Sequence, residues 1–314
     1  MIVARVRRSI RERGLIEPGM RVLAACSGGP DSAAMLVVLA RLCSELDFEL
    51  DAASVDHGLR PGARADVELA QAQAAQAGVA FHALRVEVDV SGSLQAGARS
   101  ARYEALSALA ARVGAQRIAV GHTQDDQAET VVMRLLRGAA VAGLAGIDPL
   151  RRDGVIRPLI DCRRADVAAF AAQHCASIAR DPSNDDPRFE RVRMRSSVLP
   201  LLEREDPALI QHLCDLADDA RAVSAALVPL ARQLLAAVRQ DDESIDVSSL
   251  LAAPAPIRKL ALRLWLERVG AELGRAHIAL VERATTAKAE VWLPGGWVVR
   301  SAGDGRLRLS RSAP

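Results

Sequence analysis

The chain is poor in the residues that the simplest site types require. Aromatic residues make up 3% of it, so base-stacking platforms reduce to a few candidates such as Tyr103 and Phe189. The five cysteines, Cys26, Cys43, Cys162, Cys175 and Cys214, form no C-x-x-C pair, which argues against a disulfide framework and against a zinc or iron–sulfur site. No apolar run approaches the ~20 residues that a membrane-spanning helix needs. The N-terminus has no long apolar stretch or small-residue cleavage signal; it is expected to form a short amphipathic helix with Val3, Val6 and Ile10 on one face. A cytoplasmic protein with no membrane partner is the expectation. The net charge of +2 is too small to advertise a nucleic-acid partner. Lysine is nearly missing, Lys259 and Lys288 being the only two, so an arginine is informative only inside a pattern.

What is present is a core of ample size. Half of the 314 residues are hydrophobic and a quarter charged, the balance of a globular protein, and the length suggests two domains. From Arg21 onward, short apolar strands (22–26, 50–55, 81–88, 117–120, 155–160) alternate with helical stretches (31–46, 63–77, 94–113, 124–136, 163–175). Such alternation implies an α/β fold, a parallel sheet with helices on both faces. Ligands bind such sheets outside the carboxyl ends of the strands. Three segments rich in polar residues and glycine, SGGPDS, DHGLR and GHTQDD, each follow a strand and therefore converge on that edge. A turn-rich passage, DPSNDDPRF, leads into a helix beginning near Glu190. Long helices follow (209–239, 255–272), then short strands (291–293, 297–300, 306–309), so a boundary is placed near 205–220. The second part is a smaller, mainly helical domain.

Ser27-Gly28-Gly29-Pro30-Asp31-Ser32 joins a strand to a helix. Gly28 and Gly29 let the backbone turn sharply and approach a ligand, free N–H groups at the helix start attract anions, and Ser27 and Ser32 add hydroxyls. A carboxylate at Asp31 would repel a phosphate unless a cation such as Mg²⁺ bridged them, which makes Asp31 a candidate metal ligand. The alternative is an ordinary capped strand-to-helix turn. The loop is neither a Walker A nor a G-x-G-x-x-G motif.

SGGPDS resembles the signature of the PP-loop ATP pyrophosphatases, which cleave ATP between its α and β phosphates and form an adenylated intermediate. Four further segments resemble one family among them, the tRNA(Ile)-lysidine synthases: Val55-Asp56-His57-Gly58-Leu59-Arg60; Ala98 to Tyr103, reading ARSARY; Gly121-His122-Thr123-Gln124-Asp125-Asp126-Gln127-Ala128-Glu129-Thr130; and Leu135-Leu136-Arg137-Gly138 with Gly143 to Ile147. The resemblance covers roughly residues 20–200. It implies an ATP-binding catalytic domain over 1–205, a tRNA-binding domain over 206–314, and joining of free L-lysine to the wobble cytidine of a tRNA(Ile) with a CAU anticodon. The cytosine C2 oxygen is adenylated first, and the lysine amine then displaces AMP.

An amine with a pKa near 10.4 must lose a proton before it attacks. Asp126 and Glu129 lie three apart on one helix face, just after His122. The two carboxylates are expected to hold the substrate ammonium, with an acidic group or His122 taking its proton. Arg102 is expected to stabilise charge on the transferred phosphate. Taken singly, the acidic residues read as helix caps and His122 as a strand-end histidine. Arg191 and Arg193 are expected to contact tRNA phosphate; the family commonly has Asn where this chain has Val192, and a solvated helix face is the alternative for both. Longer family members carry a further C-terminal domain for which this chain has no room, so a short form is expected; a homodimer is a separate expectation. The rivals are a tRNA-thiolating relative, for which the paired cysteines are missing, a glutamine-dependent amidating enzyme, and a non-catalytic tRNA-binding protein.

Overall fold

The computed structural model describes residues 1–56, 58, 63–86, 94–179, 186–240, 242–270, 273–287, 289–301 and 304–312. His57, Leu59 and Arg60 of the VDHGLR segment, and Asp181 to Asn184 of the turn-rich passage, lie outside the described residues. The chain divides into two compact units, Met1–Met133 with Gly146–Asp215, and Arg134–Ala145 with Leu216–Pro314. The division falls inside a long helix at Leu216, within the stretch 205–220 where a boundary was placed, and it gives the second unit a short segment from the middle of the chain.

The first unit runs α1 (Ile2–Glu12), β1 (Arg21–Ala25), α2 (Pro30–Leu46), β2 (Glu49–Asp56), α3 (Ala63–Gln76), β3 (Ala80–Arg85), α4 (Leu94–Val113), β4 (Arg117–Ala119) and α5 (Gln124–Leu136, whose last turn belongs to the second unit). After α6 (Val141–Leu144), in the second unit, it resumes with β5 (Val155–Ile156), α7 (Arg164–His174), α8 (Glu190–Arg193), α9 (Leu199–Glu205) and the start of α10 (Leu209–Val238). All five strands are parallel, in the order β3-β2-β1-β4-β5. Side chains alternate across the pleat, so Val22 and Ala24 of β1 join the core with α1, α2 and α7, while Leu23 joins Leu106 and Leu109 of α4 on the opposite face. Helices therefore cover both faces, as the strand–helix alternation implied. The order reverses between β1 and β4, which opens a crevice at their carboxyl ends, the usual ligand position in open α/β sheets.

Two departures from regular structure in this unit have a local cause. The run 155–160 is strand only over Val155–Ile156, because Arg157-Pro158 leaves the ladder. The helix from Glu190 widens into a π-helical turn over Met194–Val198 before α9; Pro200 has no N–H to give to Ser196, which interrupts the α-helical pattern there.

The second unit holds α11 (Val247–Ala252), α12 (Ala255–Trp265) and α13 (Arg275–Ala284) beside an antiparallel sheet of β6 (Ile245–Asp246), β7 (Glu290–Leu293), β8 (Trp297–Ser301) and β9 (Arg306–Arg311), in the order β6-β9-β8-β7. Leu250, Leu262, Trp265, Ile278, Val281, Val299 and Leu307 form its core. Asp246 caps α11 by accepting from the Ser249 N–H at 2.8 Å. Among the described residues α10 is long and apolar enough, by length and composition, to cross a membrane, an 18-residue stretch of it having a mean hydropathy of 1.3. The expectation that no such run exists holds for unbroken apolar residues and not for averaged hydropathy.

Candidate active site

β1 delivers the phosphate-loop segment to the crevice. Gly28 has φ +77°, and a Cβ there would lie 3.0 Å from the Asp66 carbonyl oxygen, so only glycine fits without strain. Its own carbonyl accepts from the Ala179 N–H at 2.9 Å and from Gln73 Nε2 at 3.1 Å. Because the peptide is trans and planar, pinning that carbonyl turns the Gly29 N–H to the opposite side. Gly29 is the N-cap of α2, and Pro30 occupies the first turn, where a missing N–H costs nothing. Ser32 Oγ accepts from the Ser27 N–H at 3.1 Å and donates to the Gly29 carbonyl at 3.1 Å, with Ser27 Oγ 3.2 Å away. The two hydroxyls thus knit the loop together.

Asp31 stands in the first turn of α2, and Oδ1 is buried with no hydrogen-bond partner. Burial pushes this carboxyl up to about 6, with Asp126 adding to the rise and Arg164 and Arg195 opposing it. An unpartnered buried carboxylate oxygen at a helix N-terminus fits a divalent cation. No group of three or more His, Cys, Asp or Glu that could hold a metal ion exists among the described residues, so phosphate oxygens and water would complete the shell, the usual arrangement for Mg²⁺. A Cβ on Gly121 would be 3.1–3.2 Å from the Asp31 carbonyl group and the Ser32 nitrogen. Glycine there lets the GHTQDD loop after β4 lie directly against the start of α2.

Thr123 and Asp126 cap α5 reciprocally: the Thr123 N–H and Oγ1 donate to Asp126 Oδ2 at 2.7 and 2.8 Å, the logic of a capping box. Asp126 Oδ1 faces the other way and accepts from Arg164 at 2.8 Å and Arg191 at 3.0 Å. Glu129, one turn on, is fully buried. Its Oε1 accepts from Arg164 Nη1 at 2.8 Å and Arg195 Nε at 2.9 Å, and its Oε2 from Arg191 Nε at 2.7 Å. Two carboxylates therefore hold three guanidiniums. Burial would raise the Asp126 carboxyl, but Arg164 and Arg191 outweigh it and hold the group down at about 2. Asp125 does separate work: it accepts from the Arg164 backbone N–H at 2.7 Å, capping α7, and from the Arg163 side chain at 3.3 Å.

His122 is half-buried, and its Nδ1 receives a hydrogen bond from Arg157 Nε at 3.2 Å. Burial lowers its pKa to about 4; Asp126 opposes, and Arg157, Arg191 and Arg99 add to the fall. Arg102 is exposed on α4, next to Tyr103, whose ring lies 5.1 Å from the Arg99 guanidinium and 4.9 Å from that of Arg151.

The crevice thus gathers Asp31, His122, Asp126 and Glu129 with the loop. Arg191 was expected on an RNA-facing surface; here it is committed to Glu129 and Asp126. Arg193 is exposed and folds back to donate to the carbonyls of Pro187 and Arg188 at 2.9 and 2.8 Å. Arg164, Arg157 and Gln73 were not expected. Two of them left a trace in the sequence. Arg164 puts a cation at a helix N-terminus, against the dipole, and Arg157 interrupts an otherwise apolar run. Gln73 left none.

Two family models match the chain: the PP-loop domain over residues 3–202 and the TilS substrate binding domain over 245–304. Curated tRNA(Ile)-lysidine synthases are similar over most of the chain. The one from Symbiobacterium thermophilum is 36% identical, over 100% of this chain and 70% of its own length. That of Salinispora arenicola is also 36% identical (96% and 95%), and that of Mycolicibacterium paratuberculosis 41% (91% and 89%). The solved U34-tRNA thiolase NcsA from Methanococcus maripaludis, with its [4Fe-4S] cluster, has a TM-score of 0.58 at 17% identity, covering 69% of this chain and 78% of its own; it shares the fold. PP-loop membership implies the use of ATP. With matching models over both units and relatives at this identity, the chain belongs to the tRNA(Ile)-lysidine synthase family.

Proposed function

We propose that this chain joins L-lysine to C2 of the wobble cytidine of a CAU-anticodon tRNA(Ile), in the cytoplasm, in two steps within the β1–β4 crevice. In the first, the cytidine O2 attacks the α-phosphate of ATP; an O–P bond forms and pyrophosphate leaves. In the second, the lysine ε-nitrogen attacks C2, the C–O bond breaks, AMP leaves, and the amine gives up its protons. The observation that carries this is the juxtaposition of the phosphate loop and Asp31 with the Asp126–Glu129 pair across one glycine-tight contact at Gly121.

The loop N–H groups and the start of α2 receive the phosphates. Asp31 would hold a magnesium ion, which when bound offsets the negative charge of the triphosphate. Asp126 and Glu129 already bind three cationic groups, and a lysine ammonium takes its place by exchange with a guanidinium there. Arg102, exposed on α4, neutralises charge on the transferred phosphate, and Arg193 contacts the RNA backbone.

A thiolating activity is the alternative within the fold. Burial pushes the Cys26 and Cys162 thiols up to about 12, so neither offers a thiolate at neutral pH. The test is incubation of the purified chain with a tRNA(Ile) transcript, ATP, Mg²⁺ and labelled lysine. Pyrophosphate release with stoichiometric labelling of the RNA is expected; release without lysine in the RNA would refute the ligation, and no release would favour a binding protein.

A further inference from the structure

Arg157 lies one residue beyond β5 and is 3% exposed. Pro158 restricts it to extended backbone, and its N–H donates to the Pro149 carbonyl at 2.9 Å. The guanidinium is held at two points, Nη1 donating to the Asp148 carbonyl and Nε to His122 Nδ1 at 3.2 Å. His122 is fixed in turn, because its backbone N–H donates to the Val120 carbonyl at 3.0 Å and Val120 is tied to Ile156 of β5.

A guanidinium is only ever a donor and stays charged in proteins. An Nε–H held against an imidazole nitrogen therefore requires a lone pair on that nitrogen. In a neutral ring, the proton then sits on the other nitrogen, because the hydrogen bond made by one nitrogen sets the state of its partner. A proton on Nδ1 would set N–H against N–H beside a fixed positive charge. We infer that Arg157 is a positioning residue that locks His122 as the neutral tautomer with Nδ1 bare and Nε2 protonated, so that His122 offers the reaction a hydrogen-bond donor and not a base. Resting on the lysidine-forming function above, this narrows the proton acceptor for the amine to a carboxylate and gives His122 an oxygen of the substrate as its partner. The low His122 pKa, of about 4, agrees with a ring that stays neutral throughout the working range.

The test uses the full chain labelled with ¹⁵N-histidine, read by long-range ¹H–¹⁵N correlation at pH 7. The protein has six histidines, and the signal lost in His122→Asn identifies the one in question. The expected pattern is a bare Nδ1 and a protonated Nε2; an Nδ1–H tautomer or an imidazolium would overturn the inference. Two variants separate donation from packing. In Arg157→Gln the side-chain amide nitrogen has the reach of Arg Nε, so the tautomer and activity within about threefold of wild type are expected. Arg157→Met fills similar space without a donor. Mixed tautomers are expected there, with lysine transfer lowered on the order of 10- to 100-fold, as when partners orienting a functional histidine are removed, and tRNA affinity unchanged. A pure Nε2–H ring or full activity in Arg157→Met contradicts the lock. A wild-type protein with the expected tautomer that never joins lysine to tRNA faults the proposed function and leaves the lock standing.

Discussion

The phosphate loop and the carboxylate cluster follow neighbouring strands of one sheet, yet opposite means hold them. The loop is set mainly by hydrogen bonds within six residues, Ser27 to Ser32, and by backbone angles that glycine alone adopts easily. The cluster is set by ion pairs between side chains 35 to 66 residues apart, drawn from α5, α7 and the segment from α8 through the π-helical turn. One region leaves a single buried acidic oxygen without a hydrogen-bond partner; the other packs opposite charges until each carboxylate oxygen is engaged. The first suits recognition of a polyanion with a bridging cation. The second suits exchange of one cation for another.

If the loop side alone serves adenylation, Asp31→Asn should lower tRNA-dependent pyrophosphate release on the order of 10³-fold. Its carboxyl pKa is raised on folding, so the ionised form opposes folding above the unfolded value near 3.8. The same variant should therefore be more stable at pH 7, by on the order of 1 kcal/mol, in urea denaturation. A less stable, active variant would break the contrast at its strongest point.

Removing a carboxylate from the cluster should have the opposite sign. Glu129→Ala leaves three guanidiniums over one remaining partner and should lose roughly 3–5 kcal/mol. A loss below about 1 kcal/mol would mean that the arginines relax into solvent at little cost.

A methyl group at the contact between the two regions should have a smaller effect. Gly121→Ala must push β4's loop from the start of α2, and roughly 1–3 kcal/mol is expected, together with a raised KM for ATP. Unchanged stability and KM would show that the two regions do not need this approach.

Acid should weaken the cluster, although it relieves the buried charge at Asp31 on the loop side. The Asp126 pKa is depressed on folding, so its stabilisation is complete above about 3.8 and is lost as the pH falls through about 2. A Tm that falls across that window in wild type and much less in Asp126→Asn is the expected result. The mildest change is Arg193→Ala, which should leave stability unaltered and flatten the salt dependence of tRNA binding by about one phosphate contact. An unchanged slope removes Arg193 from the RNA surface.

The same contrast governs what the sequence made legible. The sheet, its helices and the phosphate loop could be read because period, glycine and capping residues act over a few positions. His122, Asp126 and Glu129 were legible as a group because one strand end and one helix start carry them. Their partners were not, since Arg164 and Arg195 reach them only through the fold, and an arginine-rich chain hides the arginines that matter. In the second unit, α11, α13 and β6 escaped notice for a related reason: short elements in a mixed α and β layer have too few turns or pleats to establish a period.

The most direct test of the two-region account is to measure both half-reactions in Asp31→Asn and in Glu129→Gln, which keeps the shape of the side chain and removes its charge. Single-turnover pyrophosphate release reports the first step, and lysine incorporation into tRNA the second. Asp31→Asn should lose both. Glu129→Gln should release pyrophosphate near the wild-type rate and fail to incorporate lysine. Equal losses of both steps in Glu129→Gln, or normal lysine incorporation, would contradict a division of labour between the loop and the cluster.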